Sequence, residues 1–138
     1  MKKRQKRPAS PPSIAERAQR KPRFELGYTA DAARDIKSLD ESIRGQVRRV
    51  LERKLALDPE GHGLPLRSPL ANYWKHEFRN HRIIYRIYPN QRVVLVCAVG
   101  IRKQGDVEDI YRRLESVALT GRLAGQLASA LKNLLPNK

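Results

Sequence analysis

Apolar residues alternate with polar or small ones at Phe24, Leu26 and Tyr28, which predicts a short strand. Thr29 follows, and its hydroxyl can accept a free amide hydrogen in the first turn of a helix. Ala33, Ile36 and Leu39 then recur at helical spacing. Asp40 stands where a second, longer helix would be capped, with Ile43, Val47, Val50, Leu51 and Leu55 as its apolar stripe. Arg44, Arg48, Arg49, Glu52 and Arg53 fall mostly outside that stripe and read as a solvated face. Residues 58–69 hold Pro59, Gly61, Gly63, Pro65 and Pro69 and read as a loop. Three strand-like runs follow, over 72–79, 81–88 and 92–100, linked at Asn80 and at Pro89-Asn90-Gln91. The last holds an unbroken apolar stretch, Val93 to Val99, as expected of a central strand buried on both faces, with Cys97 a buried small hydrophobe within it. Residues 106–118 read as helix through Val107, Ile110 and Leu114. After Gly121 a stripe of Leu123, Leu127, Leu131 and Leu134 marks a helix with a thin polar face, which must dock on its own core, a second copy or a partner. The order β-α-α-β-β-β-α-α predicts an α+β domain with helices on one face of a small, mostly antiparallel sheet.

Composition narrows the partner rather than the fold. The chain has 138 residues, enough for one domain, and a net charge of +15. Residues 1–23 hold nine basic side chains and one acid, +8 in all, which leaves +7 for the rest. That opening is rich in proline and has no apolar cluster, so it is expected to be a disordered basic tail that aids RNA association. It has no apolar segment of the secretory kind. The division expected is 1–23 tail, 24–118 folded domain and 119–138 C-terminal amphipathic helix. No apolar run is long enough to cross a membrane, and one cysteine excludes an internal disulfide framework. The charge favours a polyanionic partner.

Period-two geometry puts Tyr73, Lys75, Glu77 and Arg79 on one face of their strand and Trp74, His76 and Phe78 on the other. Neighbouring strands would then gather Lys75, Arg79, Arg82 and Arg102 into one patch, whose mutual repulsion a phosphodiester would relieve. Arg86 and Lys103 extend it as further phosphate contacts. His81 begins the second run beside the patch and can exchange a proton near neutral pH. His76 reads as a satisfied core histidine and His62, between two glycines, as neutral to function. The histidines and the single cysteine match no metal-ligand spacing, and no nucleophile elbow, phosphate-binding loop or dinucleotide fingerprint occurs.

Taken in order, Pro65-Leu66-Arg67, Tyr73-Trp74-Lys75, His81-Arg82-Ile83-Ile84-Tyr85-Arg86-Ile87 and Val93 to Val99 with Gly100 and Arg102 resemble the RelE/ParE toxin superfamily, over roughly 24–114. The Trp-Lys pair and the Val-Gly-x-Arg strand end look more like the RelE branch. The resemblance implies a toxin of a type II toxin–antitoxin system, a metal-independent mRNA endonuclease that inhibits translation in association with the ribosome. It implies catalytic roles for Lys75, Arg82 and Arg102, with Tyr111 as the candidate for a helix tyrosine; Glu77 stands where the family pattern has a second lysine. Lys75 is then the expected base and Glu77 its rival, Arg82 and Arg79 hold the phosphate, Arg102 or His81 assists the leaving oxygen, and Tyr111 or Tyr88 stacks on a base. The expected partners are a cognate antitoxin, mRNA and the ribosome, with no cofactor and no membrane, in the cytoplasm. The alternatives are a ParE-like gyrase inhibitor without catalysis and a non-toxic RNA-binding homologue.

Overall fold

The structure, a computed structural model, describes residues 23–101 and 110–134. Arg102, Lys103, Asp106 and Val107 lie outside the described residues, as does the expected tail before Arg23. Five strands form one sheet in the order β1-β5-β4-β3-β2. They are β1 (Glu25–Tyr28), β2 (Leu64–Pro65), β3 (Trp74–Phe78), β4 (His81–Tyr88) and β5 (Val93–Ile101). Only β1 and β5 run parallel; the other pairs are antiparallel. The helices are α1 (Ala30–Lys37), α2 (Glu41–Val50), α3 (Ile110–Leu119) and α4 (Arg122–Leu134). Helix α2 runs on through a wider turn, Leu51–Leu55, in which the Ala56 amide reaches back five residues to the Leu51 carbonyl. The class is thus α+β with a mostly antiparallel sheet, as expected.

One detail of that expectation is corrected: the helices cover both faces of the sheet. Val47, Val50, Leu51 and Leu55 pack on Ile83, Tyr85, Val94, Val96 and Val99. On the opposite face Ile110, Leu114, Leu123 and Leu127 pack on Ile84, Leu95, Cys97 and Ala98. The reason lies in β5. Val93 to Val99 are all buried, and a strand with apolar side chains pointing both ways needs a layer on each side. Helix α4 supplies part of the second layer, with Leu123, Leu127 and Ala130 buried against the sheet of its own chain. Its far end is seated by Gly27, where any side chain would strike Leu134 and Leu95.

A bulge in β5 decides which side chains share a face. Ile84 pairs with Ala98 and Tyr85 with Val96, so Cys97 is an extra residue. Cys97 and Ala98 therefore both enter the α3/α4 layer, Val99 turns to the α2 layer, and Gly100 comes opposite Arg82. At Gly100 an added Cβ would lie 2.8 Å from Ile110 Cδ1, so the glycine lets α3 approach the strand end. Cys97 is 1% exposed, and burial pushes its thiol up to about 12, which suits an inert packing residue.

The local signals held unevenly. Thr29 caps α1 as read, accepting from the Ala32 amide at 3.1 Å. The buried alanine of that helix is Ala32, however, and Ala33 is exposed. Asp40 stands at the start of α2 but makes no side-chain capping bond. The segment read as a loop contains β2, which pairs Leu64 with Lys75 and Pro65 with Trp74. Just before β2, the Tyr85 hydroxyl donates to the Pro59 carbonyl at 2.6 Å and ties the turn down.

Strand β1 stops at Tyr28, opposite Val96, while β5 continues to Ile101. Helix α1 covers the uncovered edge. Asp35 Oδ2 accepts from the Val99 amide at 3.0 Å and from Arg113 of α3 at 2.8 Å. One turn earlier Asp31 accepts from Arg122 and Gln126 of α4, each at 2.9 Å. Two carboxylates on α1 thus tie the helices of the other layer to the strand end. Burial raises the Asp35 carboxyl from its ordinary value, opposed by the Val99 amide and Arg113. Replacing Asp35 with alanine leaves the Val99 amide without its acceptor, so Asp35→Ala is expected to lower stability by about 1–3 kcal/mol. Asp35→Asn keeps an acceptor and should cost clearly less. Chemical denaturation of both variants measures the difference, and equal losses would remove the edge bond as the cause.

Candidate active site

The site is built where β3 and β4 pair beneath α3. Alternation along β3 puts Lys75 and Glu77 on the α3 face, and register sets Glu77 directly opposite Arg82, which in turn faces Gly100. Lys75 Nζ lies 3.0 Å from Glu77 Oε2, and Arg82 Nε lies 3.6 Å from the same oxygen. Arg82 also donates to the carbonyls of His81 at 2.9 Å and Arg79 at 3.3 Å, which fixes the direction of its guanidinium. The Arg82 side chain is 13% exposed and Lys75 24%, against 48% for Glu77. One carboxylate oxygen therefore sits between two partly sheltered cations, on a side chain that is itself about half exposed. Tyr111 comes over the group from α3, its ring centroid 5.9 Å from Lys75 Nζ.

The other expected members are elsewhere. Arg79 leaves the strand: it takes φ 56° in the two-residue link between β3 and β4, and its guanidinium lies 5.6 Å over the Phe78 ring. Phe78 packs with the α2 layer, so Arg79 lies away from Lys75 and does not follow its alternation. The expected four-cation cluster is corrected accordingly: among its described members, Lys75 and Arg82 come together, bridged by an acid. His81 pairs with Phe78 and points to the α2 side, the opposite face from Arg82. Burial and Arg79 lower its pKa, and Asp40 opposes them. Arg86 shares the face of Arg82, but four residues of strand set it about 13 Å away. There it stacks on Tyr73 at 5.6 Å and Tyr88 at 5.3 Å. Tyr88 is thereby occupied with Arg86. Arg102 and Lys103 are outside the described residues.

The supports of α3 escaped the sequence reading. Tyr111 reaches Lys75 because Ile110 and Leu114 anchor α3 in the core and Arg113 binds Asp35. The available signal was the Asp31/Asp35 spacing of four on a short helix, which puts both carboxylates on one side. Among the described residues no group of three or more His, Cys, Asp or Glu is placed to hold a metal ion. No described helix is long and apolar enough to cross a membrane.

The model of one protein family, the ParE toxin of the type II toxin–antitoxin system parDE, matches residues 26–106. The chain belongs to the RelE/ParE family of type II toxin–antitoxin toxins. Solved structures agree on this fold. The toxin–antitoxin complex RelBE2 of Mycobacterium tuberculosis contains a chain 28% identical, with a TM-score of 0.56, covering 58% of this chain and 92% of that one. The YoeB/ParE toxin of Agrobacterium tumefaciens is 21% identical, with a TM-score of 0.51, covering 58% of this chain and all of that one (100%). An Escherichia coli RelE variant in complex with a RelB antitoxin peptide is 24% identical, with a TM-score of 0.50, covering 61% and 88%. Comparison with curated proteins gives no sequence match. In this member of the RelE/ParE family the Lys75, Glu77 and Arg82 group stands on the pair of strands that the family model spans.

On the far face of the same strands His76 is half-buried, its Nδ1 2.6 Å from the His62 carbonyl. A carbonyl only accepts, so Nδ1 carries the proton, and the ring is held by the backbone of His62, a residue read from sequence as neutral to function. Burial lowers its pKa, more than that hydrogen bond raises it. The unfolded chain thus binds the proton more readily. The stability His76 contributes is full above its unfolded value of about 6.5 and is lost as pH falls through its lower folded value. NMR titration should give a His76 midpoint below about 6.5, with the Nδ1–H tautomer at neutral pH. A midpoint above that value would contradict the buried placement.

Proposed function

We propose that this family member is a metal-independent endoribonuclease that cleaves mRNA, in association with the ribosome, and so inhibits translation. The observation that carries the reading is the single Glu77 oxygen between Lys75 Nζ at 3.0 Å and Arg82 Nε at 3.6 Å, on a side chain about half exposed, with the Tyr111 ring beside Lys75. RNA supplies its own nucleophile, the 2′-hydroxyl, so the protein has only to move protons and stabilise charge. Glu77 takes the 2′-hydroxyl proton as O2′ bonds to phosphorus. Arg82, the least exposed of the three side chains and held by two carbonyls, faces the phosphate oxygens as their charge grows. Lys75 gives a proton to O5′ as the P–O5′ bond breaks. The products are a 2′,3′-cyclic phosphate and a 5′-hydroxyl, and proton transfer from Glu77 back to Lys75 restores the site. An ion-paired lysine carries its proton already, which supports Lys75 as the acid and Glu77 as the base. Arg102 and Lys103, next along the chain after β5, would add phosphate contacts.

We further infer a cognate antitoxin as partner, since the Mycobacterium tuberculosis neighbour was solved as a toxin–antitoxin complex. A chain with a net charge of +15 suits an acidic one. A second reading is favoured by the name of the family model: ParE-like inhibition of DNA gyrase, with no cleavage. Brief induction in bacteria with primer-extension mapping separates the two. Cleavage of mRNA that Arg82→Ala lowers by about 10²–10³-fold, with loss of growth inhibition, is the expected result. DNA damage with intact mRNA, or an Arg82→Ala protein that is well expressed and fully toxic, would overturn it.

A further inference from the structure

A second cationic surface lies on the other face of the sheet. Arg49, Arg53 and Lys54 near the end of α2 line a groove of about 390 Å³ with Gln46, Val50 and Phe78. Gln46, Arg49 and Arg53 are spaced three and four apart, one side of the helix. Phe78 forms the wall opposite, and the guanidinium of Arg79 lies over its ring at 5.6 Å. Lys54 continues toward His76, whose pKa it helps to lower. Arg49, Arg53, Lys54 and Arg79 are exposed. The ion pairs among the described residues engage Arg34, Lys75, Arg82, Arg113 and Arg122, and none of these four. The acid of this stretch, Glu52, lies with Arg48 on the other side of the helix, where both act on the Tyr28 hydroxyl. The groove is thus cationic without an acid of its own.

The chain enters beside the last turn of the α2 extension, at the far end of the sheet from the β3–β4 turn. The Phe24 amide donates to the Ala56 carbonyl and Arg23 to the Glu52 carbonyl, each at 2.7 Å. Residues 1–22, joined there, carry eight further Lys and Arg against one acid. A solvated helix face needs no such sorting of its charges to one side, nor an aromatic wall bearing a stacked guanidinium.

We propose that Arg49, Arg53, Lys54 and Arg79 form a second phosphodiester-backbone site that holds single-stranded RNA passing over the β3–β4 turn toward Lys75, Glu77 and Arg82. The proposal rests on the RNA reading for its ligand, but not on cleavage. The turn favours a single strand, because the path from one face to the other runs over the rim of the sheet at Arg79 and Asn80, which link β3 to β4, and a duplex with a persistence length of about 50 nm does not bend so sharply. Arg82 donates to the Arg79 carbonyl at 3.3 Å, so the two surfaces meet at that turn.

The test is fluorescence anisotropy with the full chain and a short 2′-O-methylated RNA, which binds but lacks the nucleophile. R49A/R53A/K54A is expected to weaken binding at moderate salt and to flatten the slope of log K against log salt by about 2, roughly 0.7 per lost contact. An unchanged melting temperature shows that the variant is folded, and R49Q/R53Q, with a smaller expected change of about 1.4, replaces it if it is not. Unchanged affinity and slope overturn the proposal. A loss seen on duplex DNA alone overturns it too. If the wild-type chain cleaves no RNA while the variant still binds RNA more weakly, this site stands and the endonuclease reading falls.

Discussion

The architecture hangs on one strand that has no polar face. Val93 to Val99 of β5 are buried, and each such side chain removed from water contributes about 1.5–3 kcal/mol. That gain is realised only if both faces of the strand are covered at once. The α2 layer covers one face and the α3/α4 layer the other, while β1 and β4 pair along its edges. Where β1 ends, Asp35 takes over the edge at Val99 and binds Arg113 in the other layer. The two layers are therefore coupled through the strand that demands them.

Charge is sorted by the same strand. Side chains of β5 are occupied with packing, so the ionic groups stand on β3, β4 and the helices around it. Lys75, Glu77 and Arg82 meet on one face, and Arg49, Arg53 and Lys54 of α2 collect on the other. Such half-exposed ion pairs are worth about 0–1 kcal/mol each. Stability alone gives little reason for this arrangement, whereas a phosphate-bearing ligand gives a direct one. Gly100 matters in the same way: the bulge at Cys97 turns it toward Arg82, and its missing side chain lets α3 bring Tyr111 over Lys75.

Much of the fold was legible because it depends on local periodicity. The span read as 81–88 coincides with β4, Thr29 caps α1, and Val93 to Val99 are buried throughout. The errors share a cause. Taking Ala33 in place of Ala32 shows that small residues at neighbouring positions of a short helix do not distinguish one face from the next. Strand β2 has only Leu64 and Pro65 and exists because β3 lies beside it. Arg79 satisfies the alternation of β3, yet the turn begins there and redirects its side chain.

The sequence by itself determined the element order apart from β2, the doubly buried strand, the concentration of cations and the family, since each is carried by residue type and spacing along the chain. It determined that Glu77 and Arg82 could be neighbours, because strands joined by a tight turn share a register. Tertiary structure alone decided which helices cover each face of that strand and that Arg79 leaves the Lys75 group. It also made one acid bridge two cations. The physical reason is that a bulge inside a uniformly apolar run, or a turn one residue earlier, leaves the hydrophobic pattern unchanged while reversing the face to which every later side chain points.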